Sequence, residues 1–305
     1  MAVHHLADPN CPYCHGAGHI FEDADSIVPV RGHTCSCVIT AARSADVAAR
    51  VEAARIPTRY AEAAFDKFAL RNTTAVSVYD PERKTNVATT QGRVDARNLE
   101  AVRRLAATPL TDETVAFIGP FGVGKTYLAC ALLLAQIREH GRTGLYLVVA
   151  DYIGKLLPEG ASPEEQREMG YLARNVDILL LDDLGTEKGS AFSLRSLWAL
   201  LHDRTSNGRA TVITSNLAIR DALLGRPGDK TPTSGDAREA AELGQRIYSR
   251  LTEARVPAIT WPEGSADVRW GQQGAANRPQ IREARREIRR DLLADSNFDG
   301  EEGTS

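Results

Sequence analysis

Between residues 113 and 216, short apolar runs alternate with stretches of helical periodicity. Residues 113–119 (ETVAFIG) predict a buried strand, 126–140 a helix ended by Gly141, 144–150 a strand, and 150–157 the start of another helix. Residues 176–184 (VDILLLDDL) are a continuous apolar run that ends in acids. A helix over 192–204 stops near Asn207-Gly208, and 210–216 (ATVITSN) is another strand. The pattern closes with a helix over 237–252 and a last strand at 256–261 (VPAITW). Strands apolar on both faces, separated by helices, specify a parallel sheet covered on both sides, so the expected class is α/β.

The flanking segments read differently. Residues 41–55 are Ala-rich and helix-favouring until Pro57 interrupts them. Residues 59–70 (RYAEAAFDKFAL) place Tyr60, Ala64, Phe65 and Phe68 at helical spacing, as packing residues. Residues 71–92 are polar and predict a loop. Residues 93–107 predict a helix with Val94, Leu99, Val102 and Leu105 on its apolar face. Residues 225–236 are loop by composition. Beyond 271 the chain is polar, with a charged helix over 281–293 and a disordered acidic end. Four segments follow: 1–40, a 41–112 helical flank, a 113–262 core, and a charged tail over 263–305.

Composition narrows the partners. The chain has 305 residues, 43% of them apolar, and a formal net charge of −3. A core of ordinary size is expected, and a globally basic surface is excluded, so any nucleic-acid contact must come from a local patch. Residues 1–10 show no secretory pattern, and the longest apolar stretch, about 127–137, is shorter than the roughly 20 residues a membrane span needs. No membrane role and a cytoplasmic location are the expectation.

Four of the five cysteines lie in the first 37 residues, as Cys11-Pro-Tyr-Cys14 and Cys35-Ser-Cys37. In a reducing compartment, two close pairs predict a tetrahedral zinc site rather than disulfides. The second pair is C-x-C rather than the usual C-x2-C, and His15, His19 or His33 are alternative ligands. With all four places filled, the zinc is structural. Cys130 stands alone in an apolar stretch as a core residue.

Gly119-Pro-Phe-Gly-Val-Gly-Lys125-Thr126 fits G-x4-G-K-[ST] between a strand and a helix, the context that makes it a phosphate-binding loop. Gly119, Gly122, Val123, Gly124, Lys125, Thr126 and Tyr127 are the candidate ATP contacts. Backbone N–H groups and the helix start favour phosphate there. Lys125 is expected to reach the β- and γ-phosphates, and Thr126 to bind Mg²⁺. The run ending in Asp182-Asp183 delivers carboxylates to the same edge of the sheet: Asp182 for Mg²⁺, Asp183 to orient the attacking water, with Glu187 in reserve. Asn216, ending Thr214-Ser215-Asn216, is placed to touch the γ-phosphate or the water. Arg246 and Arg250 share a helical face, and one of them is a candidate arginine finger, supplied by a neighbouring subunit.

Together, GPFGVGKTYLACAL, GLYLVVADYI, DILLLDDLGTE, RATVITSNL and RIYSRL resemble the AAA+ ATPases of the DnaC/DnaI helicase-loader and IstB-like group, over about residues 50–261. The resemblance implies a P-loop AAA+ sheet, ATP hydrolysis with Mg²⁺, and ATP-dependent self-assembly. It implies that Arg250 is the finger and that Tyr60 and Phe65 lie near the adenine. The Cys-bearing N-terminus resembles the zinc-bearing region of DnaI-like loaders. That favours a replicative helicase and single-stranded DNA as partners over the alternative, a transposition helper of the IstB kind. A third reading is a nucleotide-dependent adaptor with little turnover. The 225–236 loop is longer than usual in such proteins. No lid domain with its own arginine is evident after the last strand, where Arg269 stands isolated.

Overall fold

A computed structural model describes residues 5–21, 32–70, 75–80, 85–157, 160–185, 191–224, 235–253, 257–262 and 265. Its centre is a five-stranded parallel sheet in the order β6-β7-β8-β5-β9, formed by Gly144–Val148 (β6), Ile178–Leu184 (β7), Ala210–Ser215 (β8), Thr114–Ile118 (β5) and Ala258–Thr260 (β9). Strands buried on both faces need cover on both. One face packs on α1 (Ser36–Ala53), α2 (Gln91–Ala106) and α3 (Lys125–His140) through Val102, Leu128, Leu132 and Phe117. The other packs on α4 (Val149–Leu156), α5 (Pro163–Asn175), α6 (Ala191–Ser206), α7 (Ile219–Leu224) and α8 (Gly235–Glu253) through Leu179, Leu181, Leu200 and Ile247.

The strand order matters for function. The strand leading into the glycine-rich loop, β5, and the strand ending in acids, β7, are not neighbours; β8 lies between them. Residues at the tip of β8 are therefore placed to touch both. Edge strand β6 is met by α1, whose C-cap residue Ala54 accepts a 2.8 Å hydrogen bond from the Tyr146 N–H.

Several expectations are corrected. Residues 59–70 are not a helix: only Thr58–Tyr60 form a 3₁₀ turn, and the rest runs as turns and bends. The helical spacing there reflects burial of Ala63 and Phe68 against α3, not an α-helix. The polar stretch 71–92 contains an antiparallel hairpin, β3 (Ala75–Asp80) with β4 (Thr85–Thr90). Alternating Val76, Val78 and Val87, Thr89 carried that signal. Helices α5 and α7 were not read from the sequence. The signal for α5 is the capping box, in which Ser162 caps the Glu165 N–H, Glu165 accepts from the Ser162 N–H, and Pro163 opens the helix. The loop predicted at 225–236 lies outside the described residues up to 234, and α8 begins at Gly235. Apart from Ser265, the tail over 263–305 and its helix over 281–293 lie outside the described residues.

Candidate functional site

Three strand ends converge on one cleft. After β5 the chain turns through the glycine loop into α3. Gly119 passes so close to Trp261 that a Cβ would lie 2.7 Å from the Trp261 Cβ. Gly124 caps α3 at φ +98, where a Cβ would meet the Phe68 ring at 2.7 Å, so conformation and space both demand glycine. Val123 is fully buried beneath the loop, whereas Phe121 at its tip is 63% exposed.

Lys125 starts α3 and is buried. Its Nζ donates to the Gly119 and Pro120 carbonyls at 2.9 and 2.8 Å, and to Asn216 Oδ1 at 2.8 Å. The same Asn216 amide donates from Nδ2 to Asp183 Oδ1 at 2.5 Å. Asn216 therefore links the loop lysine to the second acid across the gap between β5 and β7, as its position at the end of β8 allows.

The two acids differ in setting. Asp182 is buried, and its carboxylate is held at three points. Oδ1 accepts from Thr126 Oγ1 at 2.8 Å and from Thr214 Oγ1 at 2.6 Å, and Oδ2 accepts from the Tyr146 hydroxyl at 2.7 Å. Burial, with Asp182 as acceptor and neighbouring charge, pushes the Tyr146 hydroxyl well up, so it keeps its proton and remains a donor. Asp183 is half-buried at φ +64, in the left-handed region that few side chains adopt. The β7–β8 register shifts between Leu181 and Leu184, so the acids sit on an irregularity that redirects them toward the loop. The Asp183 N–H donates to Thr214 Oγ1 at 2.9 Å, so one hydroxyl orients both acids. Burial and the adjacent Asp182 raise the Asp183 carboxyl above the ordinary range, against the pull of Lys125.

The cleft holds about 430 Å³ and is lined by Arg59, Tyr60, Lys67 and Phe68 on one side and by the glycine loop, Asp182, Asp183, Thr214 and Asn216 on the other. A hydroxyl and a carboxylate oxygen 2.8 Å apart in the cleft lining are the hard-oxygen donors Mg²⁺ prefers, so Thr126 and Asp182 fit that ion. Tyr60 lines the cleft; its hydroxyl is raised by burial, with Arg59 opposing and Thr126 beside it as a hydrogen-bond partner. Phe65 is absent from the lining and packs partly buried against the core, whereas Phe68 stands in the lining. Tyr127 also lines the cleft, while its hydroxyl is engaged by the backbone of Ala64 at 3.1–3.2 Å. Arg250 lies elsewhere, its guanidinium 2.9 Å from His202 Nδ1, with His202 stacked on Trp198; Arg246 is exposed. Glu187 lies outside the described residues.

At the N-terminus the four cysteines converge beside the antiparallel pair β1 (His19–Phe21) and β2 (Gly32–Thr34), with all sulfurs within 4.8 Å of one another. Cys11 and Cys35 approach to 3.6 Å, and Cys14 and Cys37 to 3.5 Å. Tetrahedral zinc at about 2.3 Å from each sulfur requires sulfurs about 3.8 Å apart, so the cluster fits. His15 and Gly16, at φ 47 and 85, turn the chain after the first pair, and Cys37 lies in the first turn of α1. His15, His19 and His33 are exposed, and none joins the group. Burial opposes ionisation of Cys14, but hydrogen bonds from Gly18, Cys37 and Gly16 hold its thiol down at about 7. Cys130 is buried in α3, as expected.

The family model for IstB-like ATP binding proteins matches residues 62–228, more than half of the chain. The chain belongs to this family. Among its IstB-like relatives is a protein of Sinorhizobium fredii named as an insertion sequence ATP-binding protein, 34% identical over 120 residues, which are 38% of this chain and 46% of that one. Another, from Mycobacterium tuberculosis and named as an ATP-binding protein in an insertion sequence, is 32% identical over 125 residues, 40% of this chain and 46% of that one. The chain spans about half the length of these relatives. Solved structures similar to this IstB-like chain include the DnaC helicase loader (TM-score 0.47, 23% identity, 67% of this chain and 99% of that one) and DnaI (TM-score 0.47, 21% identity, 70% and 98%). The cysteine cluster lies ahead of the family match.

Proposed function

We propose that this chain hydrolyses ATP and uses its nucleotide state to control a protein that acts on DNA. The observation that carries the reading is the Asn216 bridge between Lys125 and Asp183, which puts a phosphate-binding cation and a water-orienting carboxylate on one amide. Lys125, released from the loop carbonyls, takes the β- and γ-phosphates. Asp183, held by Asn216, orients water for in-line attack and receives its proton; its raised carboxyl suits that role. When bound, Mg²⁺ neutralises the phosphate charge, and Thr126 and Asp182 are the residues that hold it. Arg250 is the finger for a neighbour's nucleotide, which requires it to leave His202 as subunits assemble. Zinc on Cys11, Cys14, Cys35 and Cys37 builds a separate docking module.

Two partners fit. The named relatives belong to insertion sequences, which supports a transposition enzyme. The cysteine module outside the family match supports the other, a replicative helicase delivered to single-stranded DNA in the cytoplasm. Immobilised full-length chain with ATP, offered a purified helicase and a purified transposase from the same cell, decides between them. ATP-dependent retention of one assigns the partner, and retention of neither contradicts partner control.

A further inference from the structure

Tyr146 and Asp182 stand on adjacent strands. Val148 pairs with Asp182 and Tyr146 with Leu180, so Tyr146 and Asp182 face the same side of the sheet as diagonal neighbours. A phenol is long enough to reach a diagonal neighbour on an adjacent strand. The hydroxyl duly reaches Oδ2 at 2.7 Å, inside the protein. Both threonine contacts fall on the other oxygen, Oδ1, and Thr126 approaches it from the cleft. Oδ2 is thus held by a residue outside the cleft lining, and Oδ1 by two residues, Thr126 and Thr214, that belong to it.

We infer that Tyr146 is a positioning residue that makes Asp182 a one-oxygen ligand and so tunes the site to Mg²⁺ over Ca²⁺. The inference rests on the ATP and Mg²⁺ reading above. Mg²⁺ keeps a tight octahedron of single oxygens and waters, whereas Ca²⁺ readily takes both oxygens of a carboxylate. With Tyr146 in place, two-oxygen coordination requires breaking a buried hydrogen bond. Without the hydroxyl, Oδ2 would lose its anchor while Thr126 and Thr214 still held Oδ1, and the carboxylate would then be able to offer both oxygens to the larger ion.

The test measures affinity of the full-length chain for a fluorescent, non-hydrolysable ATP analogue in Mg²⁺, in Ca²⁺ and in EDTA. Tyr146→Phe is expected to raise half-saturating Mg²⁺ about 10-fold, as loss of a ligand-orienting partner does, and to narrow the Mg²⁺/Ca²⁺ preference by a similar factor. Affinity in EDTA stays within about twofold of wild type. An unchanged preference overturns the inference, and so does an EDTA affinity that falls in step with the Mg²⁺ response, which marks a merely structural role. Thr214→Val keeps the inference testable if Tyr146→Phe does not fold. It weakens Mg²⁺ but retains the preference, because Oδ2 is still held, and loss of the preference there contradicts the inference. A wild type indifferent to Mg²⁺ overturns the ATP and Mg²⁺ reading as well. A responsive wild type matched by Tyr146→Phe overturns this inference alone.

Discussion

Asn216 holds Asp183 by a 2.5 Å hydrogen bond from its amide nitrogen, while the amide oxygen of the same side chain accepts from Lys125. Neither aspartate nor alanine reproduces this, because only an amide offers a donor and an acceptor at once. Asn216→Ala is expected to keep ATP binding within a few-fold and to lower kcat by about 10²–10³, the usual loss when an oriented hydrogen-bonding group leaves a reacting centre. Equilibrium nucleotide binding and steady-state phosphate release, measured together, check this. A loss of binding equal to the loss of turnover would mean that Asn216 only positions Lys125.

Asp183 is strained and crowded. It occupies a left-handed backbone position and lies beside the Asp182 carboxylate, and burial with that charge raises its carboxyl. The folded state therefore holds the Asp183 proton more tightly than the unfolded chain does. The stabilising contribution of the protonated form is complete below the unfolded value, about 3.9, and is lost as pH rises through the raised folded value. Asp183→Asn removes the charge and tolerates the left-handed backbone as Asp does. It is expected to raise Tm at pH 7 by about 2–4 °C, corresponding to about 1 kcal/mol, with the gain shrinking below pH 4. Calorimetry across pH reads it.

Among the described residues, Arg204 forms no close ion pair with a carboxylate, although Asp177 and Asp203 act on it from farther away. It is fully buried and donates to the carbonyls of Ala173, Val176 and Asp177 at 2.9–3.1 Å, to the Ala210 carbonyl, and to Thr211 Oγ1 at 3.2 Å. It ties the end of α5 to the starts of β7 and β8, and burial lowers its basicity to about 9. Arg204→Met leaves several buried carbonyls unpaired. An expected loss of about 3–5 kcal/mol in urea unfolding follows, with the active-site residues themselves untouched.

The sheet and the phosphate loop were legible because each rests on local pattern: apolar runs of strand length, and glycines at fixed spacing before Lys125-Thr126. What escaped depends on long-range pairing. Tyr146 in GLYLV looks like another core aromatic until the register sets it diagonal to Asp182. A buried tyrosine hydroxyl usually takes a hydrogen-bond partner, so the query was visible although its answer was not. The β3–β4 hairpin was hidden by polar strand residues, and residues 59–70 packed at helical spacing without forming a helix. Phe68 rather than Phe65 enters the cleft because that segment turns.

For the cysteine cluster, purified chain is expected to carry about one zinc per molecule. Replacing Cys11 and Cys14 by serine should remove it while ATP binding persists, since the cleft lies on the sheet. Elemental analysis with a nucleotide titration checks both halves. Metal-free wild-type protein, purified without chelator, would contradict the zinc assignment.

Hydrolysis at the cleft joined by Asn216 is read most directly by single-turnover phosphate release with the chain in excess over ATP. Wild type is expected to convert its bound ATP to ADP and phosphate, Asp183→Asn to bind ATP and leave it intact, and Lys125→Ala not to bind it. Release by Asp183→Asn at the wild-type rate, or none above background from wild type with ATP bound, would contradict it.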